Sequence, residues 1–125
     1  MNLLLDTHVF IWAVTDDSSL SGQARSTIVD GRNLVYVSAV AALEISIKRS
    51  LAKLNAPEDY LAQLAIHRFT PLDITARHAL AVEHLPGHHN DPFDRLLIAQ
   101  AQLERLTLIT RDRRFKAYNV PIVDA

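Results

Sequence analysis

Four carboxylates lie far apart along this chain, and each sits inside or beside an apolar run: Asp6 in LLLDTHVF, Glu44 in VSAVAALEISI, Asp94 in NDPFDRLLIAQA and Asp112 in LITRDRRF. Apolar runs are drawn into a core, and an isolated ionised carboxylate carried in with them is expensive to desolvate. A fold that accepts all four must gather them and offset their charge with cations. The pattern therefore demands elements whose ends converge, and it points to a metal site.

Composition narrows what such a site can be. With 125 residues, 49% of them hydrophobic, the chain reads as a single domain spanning residues 1–125 with enough apolar material for a core. No run approaches the ~20 apolar residues of a membrane span, and MNLLLDTH lacks the basic start of a secretory signal, so a cytoplasmic setting is the expectation. The absence of cysteine removes thiolate metal sites, disulfides and cysteine nucleophiles, leaving oxygen and imidazole as ligands. The formal charge is −1. Setting the four acids aside leaves a mildly basic remainder, with Lys48, Arg95, Arg111, Arg113 and Arg114 close to the acids in sequence.

Short apolar runs alternate with longer helical patterns, which predicts an α/β domain with a parallel sheet. The strand candidates are Leu3–Leu5, Leu34–Val37, Phe69–Leu72, Thr107–Ile109 and Pro121–Val123. The clearest helix runs from Ala39 to Leu54, capped by Ser38, with Val40, Leu43, Ile47, Leu51 and Leu54 forming its apolar stripe. A second runs from Pro92 to about Arg105, with Asp91 as cap and Pro92 in the first turn. Further helices are expected near 8–14, 20–30, 57–66 and 75–83.

On those elements Asp6 and Asp112 fall at carboxyl ends of strands, where open parallel sheets bind ligands. Glu44 and Asp94 share helical phase with apolar neighbours and should point inward. Each acid also has a plainer explanation. Asp6 can cap a helix, Asp94 can complement a helix dipole, and Asp112 can cap the RRFKAY turn. Glu44, in mid-helix, has no such duty, while Asp91 is well explained as a cap with a supporting place beside the site. An all-carboxylate set suits hard divalent ions such as magnesium or manganese, one or two of them, and such ions drive phosphodiester hydrolysis by activating a water. The basic run RDRRFK beside Asp112 can grip phosphates or simply form a solvated turn.

The order and spacing of LLLDTHVFIW, of Ser38 six residues before Glu44, of HHNDPFDRLLIAQA, LITRDRRF and the closing IVDA resemble the PIN-domain ribonucleases, specifically VapC-type toxins of bacterial toxin-antitoxin pairs. The resemblance covers nearly the whole chain. It implies a three-layer α/β/α sandwich with a five-stranded parallel sheet, magnesium- or manganese-dependent endonuclease action on RNA, a homodimer, and inhibition by a small cognate antitoxin. It carries Asp6, Glu44, Asp94 and Asp112 onto the family's acidic positions, with Ser38 and Thr110 as supporting polar residues.

Other residues bear less weight. His84, His88 and His89 can bind a transition metal, although a loop role is the better reading; by resemblance, His88 and His89 are open to a substrate or supporting role. Trp12 can stack on a base or pack in a core or dimer interface. His8, His67 and His78 form no constellation. Two rival readings stand beside the nuclease. One is a receiver-like signalling domain with a magnesium site, although Asp6 lacks the adjacent acid such domains carry. The other is a non-catalytic PIN-like binding module.

Overall fold

The computed structural model describes all 125 residues. Five parallel strands, β1 (Asn2–Leu5), β2 (Leu34–Ser38), β3 (Thr70–Leu72), β4 (Thr107–Thr110) and β5 (Ile122–Asp124), form one sheet in the order β3-β2-β1-β4-β5. The helices are α1 (Thr7–Val14), α2 (Gly22–Val29), α3 (Ala39–Ser50), α4 (Tyr60–Ile66), α5 (Ala76–Ala81) and α6 (Pro92–Glu104), with 3₁₀ turns at Val82–His84 and Arg113–Ala117.

The layering follows from the two-residue period of a strand. Leu3 and Leu5 of β1 point to a core shared with Val9 and Phe10 of α1, Ala24 and Ile28 of α2, Ala41 and Ile45 of α3, and Leu64 of α4. Leu4 points the other way, into a second core with Leu97, Ile98 and Ala101 of α6 and with Phe115 and Tyr118. All three leucines are fully buried, and each contributes roughly 1.5–3 kcal/mol of apolar transfer. A sheet covered on both faces gives the expected three-layer α/β/α sandwich.

Sheet order also fixes where a ligand can sit. From β1 the chain winds outward through β2 to β3, then returns to β4 on the opposite side of β1, so β1 and β4 flank a topological switch point. Leu5 pairs with both Val37 and Ile109, which brings Asp6, Ser38 and Thr110 to one level at the carboxyl edge. A receiver domain has a different parallel order, 2-1-3-4-5, so the receiver-like reading is set aside.

The sequence misjudged one helix. α3 ends at Ser50 rather than Leu54, with Leu51 as cap and Ala52 in the left-handed region at φ 54°. Its buried stripe is Val40, Ala41, Glu44 and Ile45, whereas Leu43, Ile47 and Leu51 are exposed. The apolar spacing tracked a row beside the buried one, because Ala41 is small enough to carry the close helix-to-sheet contact. Glu44 still faces inward. Elsewhere the expected elements appear with ends shifted by one to three residues.

Candidate active site

Asp6, Glu44, Asp91, Asp94 and Asp112 line a single cleft of about 440 Å³ together with Thr7, His8, Trp12, Lys48, Arg111, Arg114 and Phe115. Each acid comes from a different structural cause. Asp6 terminates β1 and caps α1, its Oδ1 accepting from the Val9 amide at 2.8 Å while Oδ2 accepts from the Thr110 hydroxyl at 2.5 Å. Asp112 follows β4 and caps the 3₁₀ turn by accepting from the Arg114 amide. For both residues the cap is present and the carboxylate also lines the cleft, so the cap fixes the backbone that aims the carboxylate. Glu44 is buried, with Oε1 accepting from the Thr7 hydroxyl at 2.6 Å and Oε2 held by the Lys48 ammonium at 2.5 Å. Asp94 lies in the first turn of α6, whose cap is Asp91.

The electrostatics are those of a crowded acidic site. Burial and then repulsion from Asp91, Glu44, Asp6 and Asp112 push the Asp94 carboxyl up to about 7. Burial also raises Asp6, against the lowering effect of Thr110 and the Val9 amide. Asp112 goes the other way, down to about 2, because the Arg114 guanidinium hydrogen-bonds it. The Glu44 hydrogen bond raises Lys48. A carboxylic acid that keeps its proton to neutrality among four others marks a cleft with unbalanced negative charge. Oxygen donors in excess of nearby cations are what a hard divalent ion requires, so the residues fit such an ion.

Several expected residues take other places. Arg95, expected to face RNA, turns away from the cleft and donates to the carbonyls of Val82, Leu85, Pro86 and His89, which locks the segment before α6. Its position one residue after Asp94 turns it about 100° around the helix from that acid. Ser38 makes no hydrogen bond to the acids: it caps α3 and donates to Gln100 at 2.6 Å, both residues being fully buried. Arg113 is exposed and lies outside the cleft lining. Arg111 lies at the cleft edge, its guanidinium 4.5 Å from the centre of the Trp12 ring and hydrogen-bonded to the Ser19 and Ala125 carbonyls. Trp12 is partly buried against the core and also carries the Arg111 guanidinium over its ring.

His89 is the residue the sequence undervalued. A loop role is the better reading from sequence, with a supporting role open by resemblance; this loop histidine is 1% exposed, with Nε2 2.8 Å from Asp94 Oδ2 and 3.3 Å from Asp112 Oδ2. The family resemblance of HHNDPFDR gave the signal, since nothing in the spacing foretold that Asp112 would fold back upon it. His84 stays exposed, and His88 lies edge-on to Tyr118. His8 lines the cleft, and His78 is buried against Glu104 and Gln100. No helix is long and apolar enough to cross a membrane.

Comparison with known proteins gives this geometry a lineage. The chain matches the PIN domain over residues 3–121. Ribonuclease VapC22 of Mycobacterium tuberculosis is 32% identical over 123 residues, which are 95% of this chain and 93% of that protein. Two solved structures share the fold: VapBC2 of Rickettsia felis bound to a promoter DNA fragment, at TM-score 0.72 and 19% identity, and DNA-bound VapBC of Salmonella typhimurium, at 0.71 and 20%. Each match covers 99% of this chain and 98% of the other. An acidic cleft at the switch point of a five-stranded parallel sheet, matched almost end to end, means that the chain belongs to the PIN-domain family, among its VapC-type members.

Proposed function

We propose that this chain is a divalent-metal-dependent endoribonuclease acting as the toxin of a toxin-antitoxin pair. The observation that carries the reading is the convergence of Asp6, Glu44, Asp94 and Asp112 from four distant segments on one cleft with Lys48, Arg111 and Arg114 at its rim. The four acids are the ligands of one or two ions, magnesium or manganese, with Asp91 adjoining them. An ion held there lowers the pKa of a coordinated water and offsets charge developing on the phosphate.

The chain's own residues do the rest. Thr110 and the Val9 amide fix both oxygens of Asp6, and Thr7 and Lys48 fix both oxygens of Glu44, so the ligands are preorganised before substrate arrives. Arg111 and Arg114, and the ammonium of Lys48, offer positive charge to the RNA backbone. The cleft lining holds no cysteine or serine, which agrees with attack by water. Likeness to Ribonuclease VapC22 supports RNA as substrate.

The same reading extends to partners and setting. A small cognate antitoxin and a second copy of the chain are expected, in the cytoplasm, and the exposed row Leu43, Ile47 and Leu51 on α3 supplies apolar surface for such contacts. The test is incubation of purified protein with labelled single-stranded and structured RNAs in magnesium, manganese or chelator, beside the Asp94→Asn variant. Cleavage lost in chelator and in the variant supports the reading. Cleavage that persists in both sinks it, and no cleavage of any RNA by the wild type favours a binding module.

A further inference from the structure

His89, Asp94 and Asp112 present one ligand atom each within 4.8 Å of one another, so by distance alone they form a three-point metal site. The hydrogen bonds around the ring say otherwise. Nδ1 of His89 lies 3.2 Å from the backbone nitrogen of Asp91, which is a donor and nothing else. Nδ1 must therefore accept, and in a neutral ring the proton sits on Nε2. That proton is directed to Asp112 Oδ2 at 3.3 Å, while Asp94 Oδ2 lies 2.8 Å from the same nitrogen but off the N–H axis.

The ring has no freedom to change this. Its edge packs against Phe115 at 80° between planes, its backbone N–H donates to the Tyr118 hydroxyl at 2.9 Å, and its carbonyl accepts from Arg95. Coordinating a cation through Nε2 would move the proton to Nδ1 and set two donors against each other inside a buried pocket. We infer that His89 is not a metal ligand but a positioning residue, an N–H donor from Nε2 that holds Asp112 Oδ2 beside Asp94. Asp91 then has two tasks: its side chain caps α6 and its backbone amide selects the tautomer of His89. Asp94 Oδ1 is left without a protein partner, available to an ion.

This rests on the cleft being a divalent-cation site, and the experiment keeps the two claims separable. Nitrogen-15 NMR of the imidazole rings in the wild-type protein, with and without magnesium, reads the tautomer directly. The expected result is a His89 ring protonated at Nε2 and bare at Nδ1, unchanged when magnesium is added. A ring protonated at Nδ1, or one that loses its Nε2 proton on adding magnesium, overturns the inference whether or not RNA is cut. In calorimetric titrations with manganese, His89→Phe is expected to lose roughly 10–100-fold in affinity, the range typical of groups that orient ligands. His89→Gln, which keeps an N–H donor, is expected to recover part of that loss; equal loss in both variants contradicts a donor role. If the wild type binds no manganese while the NMR signature stands, the cation site fails and the donor role of His89 survives.

Discussion

Replacing Asp94 by asparagine should stabilise the metal-free protein while removing its function. In the cation-free cleft the Asp94 carboxyl is pushed from 3.8 up to about 7, so folding above neutral pH forces ionisation against burial and four neighbouring acids. A displacement of that size corresponds to about 4 kcal/mol at 1.36 kcal/mol per pH unit. The side chain is 20% exposed and the cleft is open to counterions, which reduces the expected gain to about 2 kcal/mol. The sign follows from proton linkage. Between about pH 4 and 7 the unfolded chain releases the Asp94 proton and the folded chain retains it, so wild-type stability falls as pH rises through that window. Asparagine does not titrate and is nearly isosteric with the acid. Urea unfolding of both proteins in chelator should give equal stability near pH 4 and an advantage to Asp94→Asn of about 2 kcal/mol near pH 8. Saturating magnesium should reverse the order, since a ligand at 100 times its Kd adds about 2.7 kcal/mol to the protein that binds it. An Asp94→Asn protein less stable than wild type near pH 8 in chelator, or a difference independent of pH, would refute the reasoning.

Two other substitutions separate site from scaffold. Thr110→Val removes the hydroxyl that donates to Asp6 at nearly constant shape, and RNA cleavage should fall by ~10–100-fold with little change in circular dichroism. Arg95→Met deletes a donor to four carbonyls, so urea unfolding should register a loss of about 2–3 kcal/mol; cleavage rates and RNA affinity, measured well below the new midpoint, should hold.

The strand ends and helix starts were readable because local chemistry specifies them. Ser38, Asp91 and Pro92 announce α3 and α6, and the apolar run Leu3–Leu5 of β1 announces a strand covered on both faces. The four acids were legible for a related reason, since a carboxylate within an apolar pattern has few innocuous explanations. What escaped depended on contacts between distant segments. The phase of α3 was misread because burial there follows where Ala41 meets the sheet, not where the largest side chains recur. Arg95 looked like an RNA contact until the loop from Val82 to His89 folded beneath it. His89 looked like a loop residue because its partner Asp112 is 23 positions away. Sequence marks candidates for charge; only the fold decides which charges already have partners.

The central claim is that four carboxylates from four segments make one cation site. Calorimetric titration of manganese into the wild type and into Asp6→Asn, Glu44→Gln, Asp94→Asn and Asp112→Asn tests it directly. The account predicts saturable binding by the wild type and weaker binding by every variant, by about tenfold or more. Manganese affinity that is unchanged in all four variants, or a wild type that binds none, would contradict it.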